Sequence, residues 1–304
     1  MTKTLSPRQA ANKINQCLDL GLDAAERFPV DVERVALELT PFFNTDPITA
    51  VKGDHFASID GMLARHPNRQ EWMIVYNTAI GHPGRINFTL AHELGHYLIH
   101  RHTLSTGRIE CSERDIFSGN ADNTTLEQEA NTFAAYLLMP TRDFCEQIHG
   151  ESFSFDLMSH CADRYDVSLT ATVLRWLNVT QQRAVVVLSE DGFMHWSKPS
   201  KRALASGRYF ATKQHCVPVP ELSAATLTRL PAQAREGIQQ GSGVWFDEAV
   251  MEYSIRLATY GKTLTVLILD DHTGYSDLED FDEDTEQLTD TYAHFIRHNQ
   301  TPYS

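Results

Sequence analysis

The run Phe88-Thr89-Leu90-Ala91-His92-Glu93-Leu94-Gly95-His96 restricts the fold of this chain more than any other stretch of it. On an α-helix, residues four apart share a face, so the imidazoles of His92 and His96 point together at one position. Neutral imidazole nitrogen suits Zn²⁺, which takes nitrogen, sulfur and carboxylate ligands in tetrahedral geometry. Glu93 lies one step round the helix, beside that position rather than on it. There it can take a proton from a water whose pKa the ion lowers to about 7. Leu90, Ala91, Leu94, Leu98 and Ile99 offer packing surfaces to a helix read as residues 88–101. An apolar helix has no other reason to line up these polar groups.

A catalytic zinc keeps three protein ligands and leaves the fourth position for water. His102 stands ten residues after His92, but the extended pattern with that spacing needs a glycine at position 99 to turn the chain back, and Ile99 is there. His100 and His102 read instead as helix-end residues favoured by the helix dipole. The other source is the segment Glu127-Gln128-Glu129-Ala130-Asn131, on a helix expected over residues 125–138 and stopped by Pro140. Glu127 and Asn131 share a face, so Glu127 can ligate while the Asn131 amide holds a ligating histidine. Glu129 points about 200° away from Glu127 on the helix and reads as solvent-facing or as a helix-surface pair. Glu127 is therefore the preferred third ligand, with Glu129 and His102 as competitors.

Ser6-Pro7 marks a helix start running to about residue 20, and a second helix of unclear period falls around 30–39. Trp72–Tyr76 reads as a buried strand, and Gly81-His82-Pro83-Gly84 as a loop. A helical module follows over 153–178, its helices broken at Asp166-Val167-Ser168. Two hairpins then follow. One folds at Glu190-Asp191-Gly192, the other where MEYSIRLA meets TLTVLIL across Tyr260-Gly261-Lys262. The pattern changes near 180, dividing the chain into residues 1–180 and 181–304.

The net charge of −14 argues against tight binding to a phosphate backbone. The helix pair around Asp166 superficially resembles a helix-turn-helix. However, Asp156, Asp163 and Asp166 accompany Arg164 and Arg175, which leaves no basic face. Residues 270–290 hold ten carboxylates and no Lys or Arg, the pattern of a solvated tail or an acidic docking segment. Five cysteines without a CxxC fit a reducing cytoplasm better than a disulfide framework. No apolar run approaches the roughly 18–20 residues that span a bilayer.

The FTLAHELGH stretch ending at His96 closely resembles a block of the ImmA/IrrE metallopeptidases. Glu127-Gln128-Glu129-Ala130-Asn131-Thr132-Phe133-Ala134-Ala135-Tyr136-Leu137-Leu138-Met139-Pro140 resembles that family's second block, and Tyr76-Asn77 its strand and asparagine before the motif. The resemblance covers about residues 25–180. It implies a gluzincin-like fold, Glu127 at the third-ligand position, Glu93 as general base, and a protein substrate of the transcriptional-repressor class. Family members cleave repressors to release genes of mobile elements, phage or stress responses. Some carry a C-terminal domain compared to GAF folds, and others an N-terminal DNA-binding repressor domain. No such N-terminal domain is recognisable here, so the repressor would be encoded separately.

The expected architecture is α+β: a minimal zincin-like peptidase domain with a helical extension, then a smaller α/β, GAF-like domain for sensing or substrate positioning. The expected activity is zinc-dependent peptide hydrolysis in the cytoplasm, without direct nucleic-acid or membrane binding. Tyr76, Tyr97, His149 and His160 are the side chains available to stabilise the oxyanion. The competing reading is a peptidase fold that sequesters a repressor or toxin without cutting it. Loss of the motif glutamate would signal that reading, and Glu93 is present.

Overall fold

The first helix, α1 (Pro7–Gly21), begins where Ser6-Pro7 leads one to expect. The Ser6 hydroxyl accepts from the Gln9 backbone N–H, and the Gln9 side chain accepts from the Ser6 N–H. A computed structural model describes residues 5–102, 108–111, 124–212, 214–257 and 261–270. After α1 come α2 (Val32–Arg34), a π turn (Val35–Leu39) and α3 (Thr40–Phe43). The π turn accounts for the unclear period here: its i→i+5 bonds do not keep the α-helical spacing.

The first sheet has the order β1-β3-β2-β4. β1 (Ile48–Asp54) runs parallel to β3 (Trp72–Asn77), while β2 (Gly61–Arg65) is antiparallel both to β3 and to β4 (Arg108–Cys111). Asn77 ties the end of β3 to the loop that leads into β2. Its amide oxygen accepts from the Phe56 and Ala79 N–H groups, and its nitrogen donates to the Phe56 and Ile59 carbonyls. The motif helix α4 (Pro83–Gly95) packs across β2 and β3. It starts at Pro83 rather than at residue 88, because proline at the first helical turn supplies a preset φ where its missing N–H costs nothing. Its last turn, His96–His100, is a π turn.

Helix α5 (Thr124–Leu138) packs against both α1 and α4. Gly95 permits the second contact, since a Cβ there would stand 2.9 Å from Phe133 Cδ1. Helices α6 (Thr141–Ile148), α7 (Phe155–Tyr165) and α8 (Leu169–Val179) follow. The two arginines of the α7–α8 pair are engaged internally. Arg164 makes two hydrogen bonds to Asp143, and the fully buried Arg175 donates to the Met139 carbonyl and Thr141 hydroxyl.

The second sheet is antiparallel throughout, with order β6-β5-β9-β8-β7. Its strands are β5 (Arg183–Glu190), β6 (Phe193–Pro199), β7 (Ile238–Gln240), β8 (Val250–Arg256) and β9 (Thr263–Leu269). The β5–β6 hairpin turns at Asp191 and Gly192, both at positive φ (51° and 80°). Successive side chains of a strand face opposite ways. Thus Ala184, Val186, Leu188, Leu264 and Val266 join the core shared with the helices, while Val185, Val187, Leu267 and Leu269 form a smaller core on the other face. Each buried Val or Leu contributes about 1.5–3 kcal/mol. Burial on both faces is why β5 and β9 read as continuous apolar runs.

Beyond residue 180 the described residues are sheet-rich, with short helices at α9 (Lys201–Ala205) and α10 (Gln233–Glu236) and a 3-10 turn at Ala224–Thr226. The described residues up to Leu269 form one compact unit. Apart from Asp270, the acidic stretch lies outside the described residues. Among the described residues, no helix is long and apolar enough to cross a membrane, and Cys17, Cys145, Cys161 and Cys216 are free thiols.

Candidate metal centre

Helix α4 and the π turn that continues it supply His92 and His96 from one face, and α5 crosses close enough for Glu127 to reach both. The Nε2 atoms of the two imidazoles are 2.9 Å apart. Glu127 places Oε2 3.1 Å from His92 Nε2 and Oε1 3.4 Å from His96 Nε2. His92 and His96 are completely buried, and Glu127 is 6% exposed. Ligand atoms about 2.1 Å from a tetrahedral zinc stand about 3.4 Å from one another. Two ring nitrogens and a carboxylate gathered at 2.9–3.4 Å therefore fit one ion of that kind. His102, by contrast, is exposed and outside the group.

The electrostatics point the same way. Burial disfavours the Glu127 carboxylate, but its hydrogen bonds to His92 and His96 outweigh this and hold its pKa down to about 2. Burial also disfavours a charged imidazole at His92. There the Glu127 hydrogen bond and the charges of Glu93 and Glu127 prevail, and the pKa is raised. At His96 burial wins, helped by the His92 and His100 charges, and the pKa falls to about 4. The pocket thus combines an ionised carboxylate with an imidazole that stays neutral, and its negative groups favour a cation between them.

His92 donates from Nδ1 to the Asn131 amide oxygen at 3.0 Å, which turns Nε2 toward Glu127. Asn131 thus meets the His92 ring from α5, the helix that carries Glu127. Glu93 is fully buried beside the pair and abuts β2, where a Cβ at Gly61 would stand 2.7 Å from its Oε1. The sheet thereby fixes the depth at which this carboxylate sits.

Two neighbours extend the group. Glu129, with its side chain 38% exposed, bonds His100 Nε2 at 2.8 Å. His100 is buried and stands 3.0 Å, Nδ1 to Nδ1, from His96. The four-residue interval from His96 to His100 repeats that from His92 to His96, which is the signal that points to it. Of the tyrosines available to an oxyanion, Tyr97 donates its hydroxyl to the Asp46 carbonyl at 3.0 Å.

Residues 54–177 match the model of a family described as the IrrE N-terminal-like domain, Peptidase M78. No curated protein matches the chain. Among solved structures, the fold is similar to one described as a Mycobacterium tuberculosis transcriptional regulator. That likeness has 13% identity and a TM-score of 0.50, over 87% of this chain and 76% of that one.

Proposed function

Because residues 54–177 make this chain a member of the IrrE N-terminal-like peptidase family, we propose that it is a zinc-dependent endopeptidase acting on a protein substrate. The observation that carries this reading is the convergence of His92, His96 and Glu127 with the Glu93 carboxylate beside them. When bound by these three side chains, zinc supplies Lewis acidity toward water and toward a peptide carbonyl. Glu93 takes the proton of the attacking water and delivers it to the departing amine, the general-base and general-acid halves of peptide hydrolysis. Asn131 keeps the His92 ring turned so that Nε2 faces the centre.

The substrate we propose is a separately encoded DNA-binding repressor, cut to relieve repression in a stress, phage or mobile-element response. The family supports this class of partner, and the description of the similar structure as a transcriptional regulator agrees with it. The sheet-rich region after residue 180 is proposed to sense a ligand or position substrate, as in relatives with GAF-like C-terminal domains. A cytoplasmic location fits both the free thiols and such a target.

The test is co-expression of the full chain, or its Glu93→Gln variant, with each repressor-like protein encoded nearby, read on gels for specific fragments. The variant keeps side-chain size and zinc but lacks the proton acceptor. Cleavage should fall by about 10²–10⁴-fold, leaving the substrate captured intact. Cutting at the parental rate by the variant would remove Glu93 from the mechanism. A captured partner that neither form cuts would favour sequestration without cleavage.

A further inference from the structure

We propose that His100 and Glu129 are positioning residues that set the tautomer and ring orientation of His96, and so the zinc affinity of the centre. The inference rests on the metal-binding reading above. Its basis is a chain of contacts leading outward from the centre, from His96 Nδ1 to His100 Nδ1 at 3.0 Å and from His100 Nε2 to Glu129 Oε2 at 2.8 Å.

With His100 neutral, proton counting gives this chain one direction. An ionised carboxylate only accepts, so His100 Nε2 carries the hydrogen that meets Glu129. A neutral imidazole with hydrogen on Nε2 offers a lone pair at Nδ1, and two lone pairs do not bond. The hydrogen between the rings therefore belongs to His96 Nδ1. That leaves His96 Nε2 with its lone pair directed at Glu127 and His92, the form a metal needs. His92 reaches the same state through the Asn131 amide.

The surroundings confine these side chains. His100 is 3% exposed, and its ring centroid lies 5.1 Å from that of His96 within one π turn. Glu129 is on α5, the helix that also carries Glu127 and Asn131. One helix thus supplies a metal-facing carboxylate and the acceptors that orient both imidazoles. Such π turns inside α-helices occur often at functional sites.

The test measures zinc affinity by chelator competition, and the visible spectrum of the cobalt-loaded protein, for the parent, His100→Leu, His100→Gln and Glu129→Ala. Glutamine preserves both functions of His100, an oxygen to accept from His96 and an N–H to donate to Glu129. Leucine preserves only bulk. His100→Leu should weaken zinc by about 10–100-fold and shift the cobalt bands, with His100→Gln within a few-fold of the parent. Glu129→Ala should fall between them.

Equal affinity for the leucine and glutamine variants would show that His100 acts by volume, and would overturn the proposal. If His100→Leu does not fold, the half-exposed Glu129 position decides the matter, and parental zinc affinity in Glu129→Ala overturns it. A parent that binds no zinc would refute the metal-binding reading itself, an outcome separate from equal variants on a zinc-binding parent.

Discussion

At Gly61 a methyl group would stand 2.7 Å from Glu93 Oε1 and 2.6 Å from Thr89 Cγ2. The end of the Glu93 side chain is the easier of the two to displace, so Gly61→Ala should move the carboxylate while leaving His92, His96 and Glu127 in place. Purified Gly61→Ala is expected to keep zinc and to cleave on the order of 10²-fold more slowly, the usual effect of a misplaced reacting group. Parental turnover with normal zinc content would show that this contact does not set the position of Glu93. The pairing of His92 with His96 is legible in the sequence because helical spacing and ligand chemistry are local, whereas Glu127 joins them only through the α4–α5 crossing. The role of Gly61 is not, because it arises only when β2 is laid against α4. His100 is an intermediate case, since its spacing was readable but its bond to Glu129 required the α4–α5 crossing.

Strands β5 and β9 are readable as apolar runs, and the hairpins as turn residues between such runs. Lys52-Gly53-Asp54 in β1 and the five residues of β2 have no comparable pattern, and become strands by pairing with β3. The second sheet also depends on an ion pair that periodicity does not announce. Arg183, at the start of β5, donates to both oxygens of Glu248, just before β8, and Arg208 donates to the same carboxylate. Burial pushes the Glu248 pKa up, but the hydrogen bonds from Arg183 and Arg208 hold it down from 4.5 to about 2. A folded-state pKa below the unfolded value adds stability above the unfolded pKa, and that stability is lost as pH falls through the folded one. Melting temperature should therefore drop more steeply between pH 4.5 and about 2 in the parent than in Glu248→Gln. Parallel profiles would show that Glu248 does not contribute to the acid limb.

One hydrophobic core joins Leu94, Phe133 and Trp176 to Val186 and Val266, so the two sheets are packed through a common interior. The change of pattern near residue 180 is legible as a change of architecture. The shared core is not, because periodicity identifies buried faces without naming what covers them. A chain ending at 180 would uncover the faces of α8 and its neighbours that meet β5. It is expected to melt well below the full chain and to self-associate, checked by thermal unfolding and sedimentation. Parental melting of that fragment would contradict the expectation.

The central claim is that His92, His96 and Glu127 hold one metal while Glu93 stands beside it without ligating. Its most direct test is elemental analysis of the purified full chain after zinc is supplied and excess removed. About one zinc per chain is expected for the parent and Glu93→Gln, with marked loss in His92→Ala, His96→Ala and Glu127→Ala. A parent without metal, or a Glu127→Ala variant as fully loaded as the parent, would contradict it.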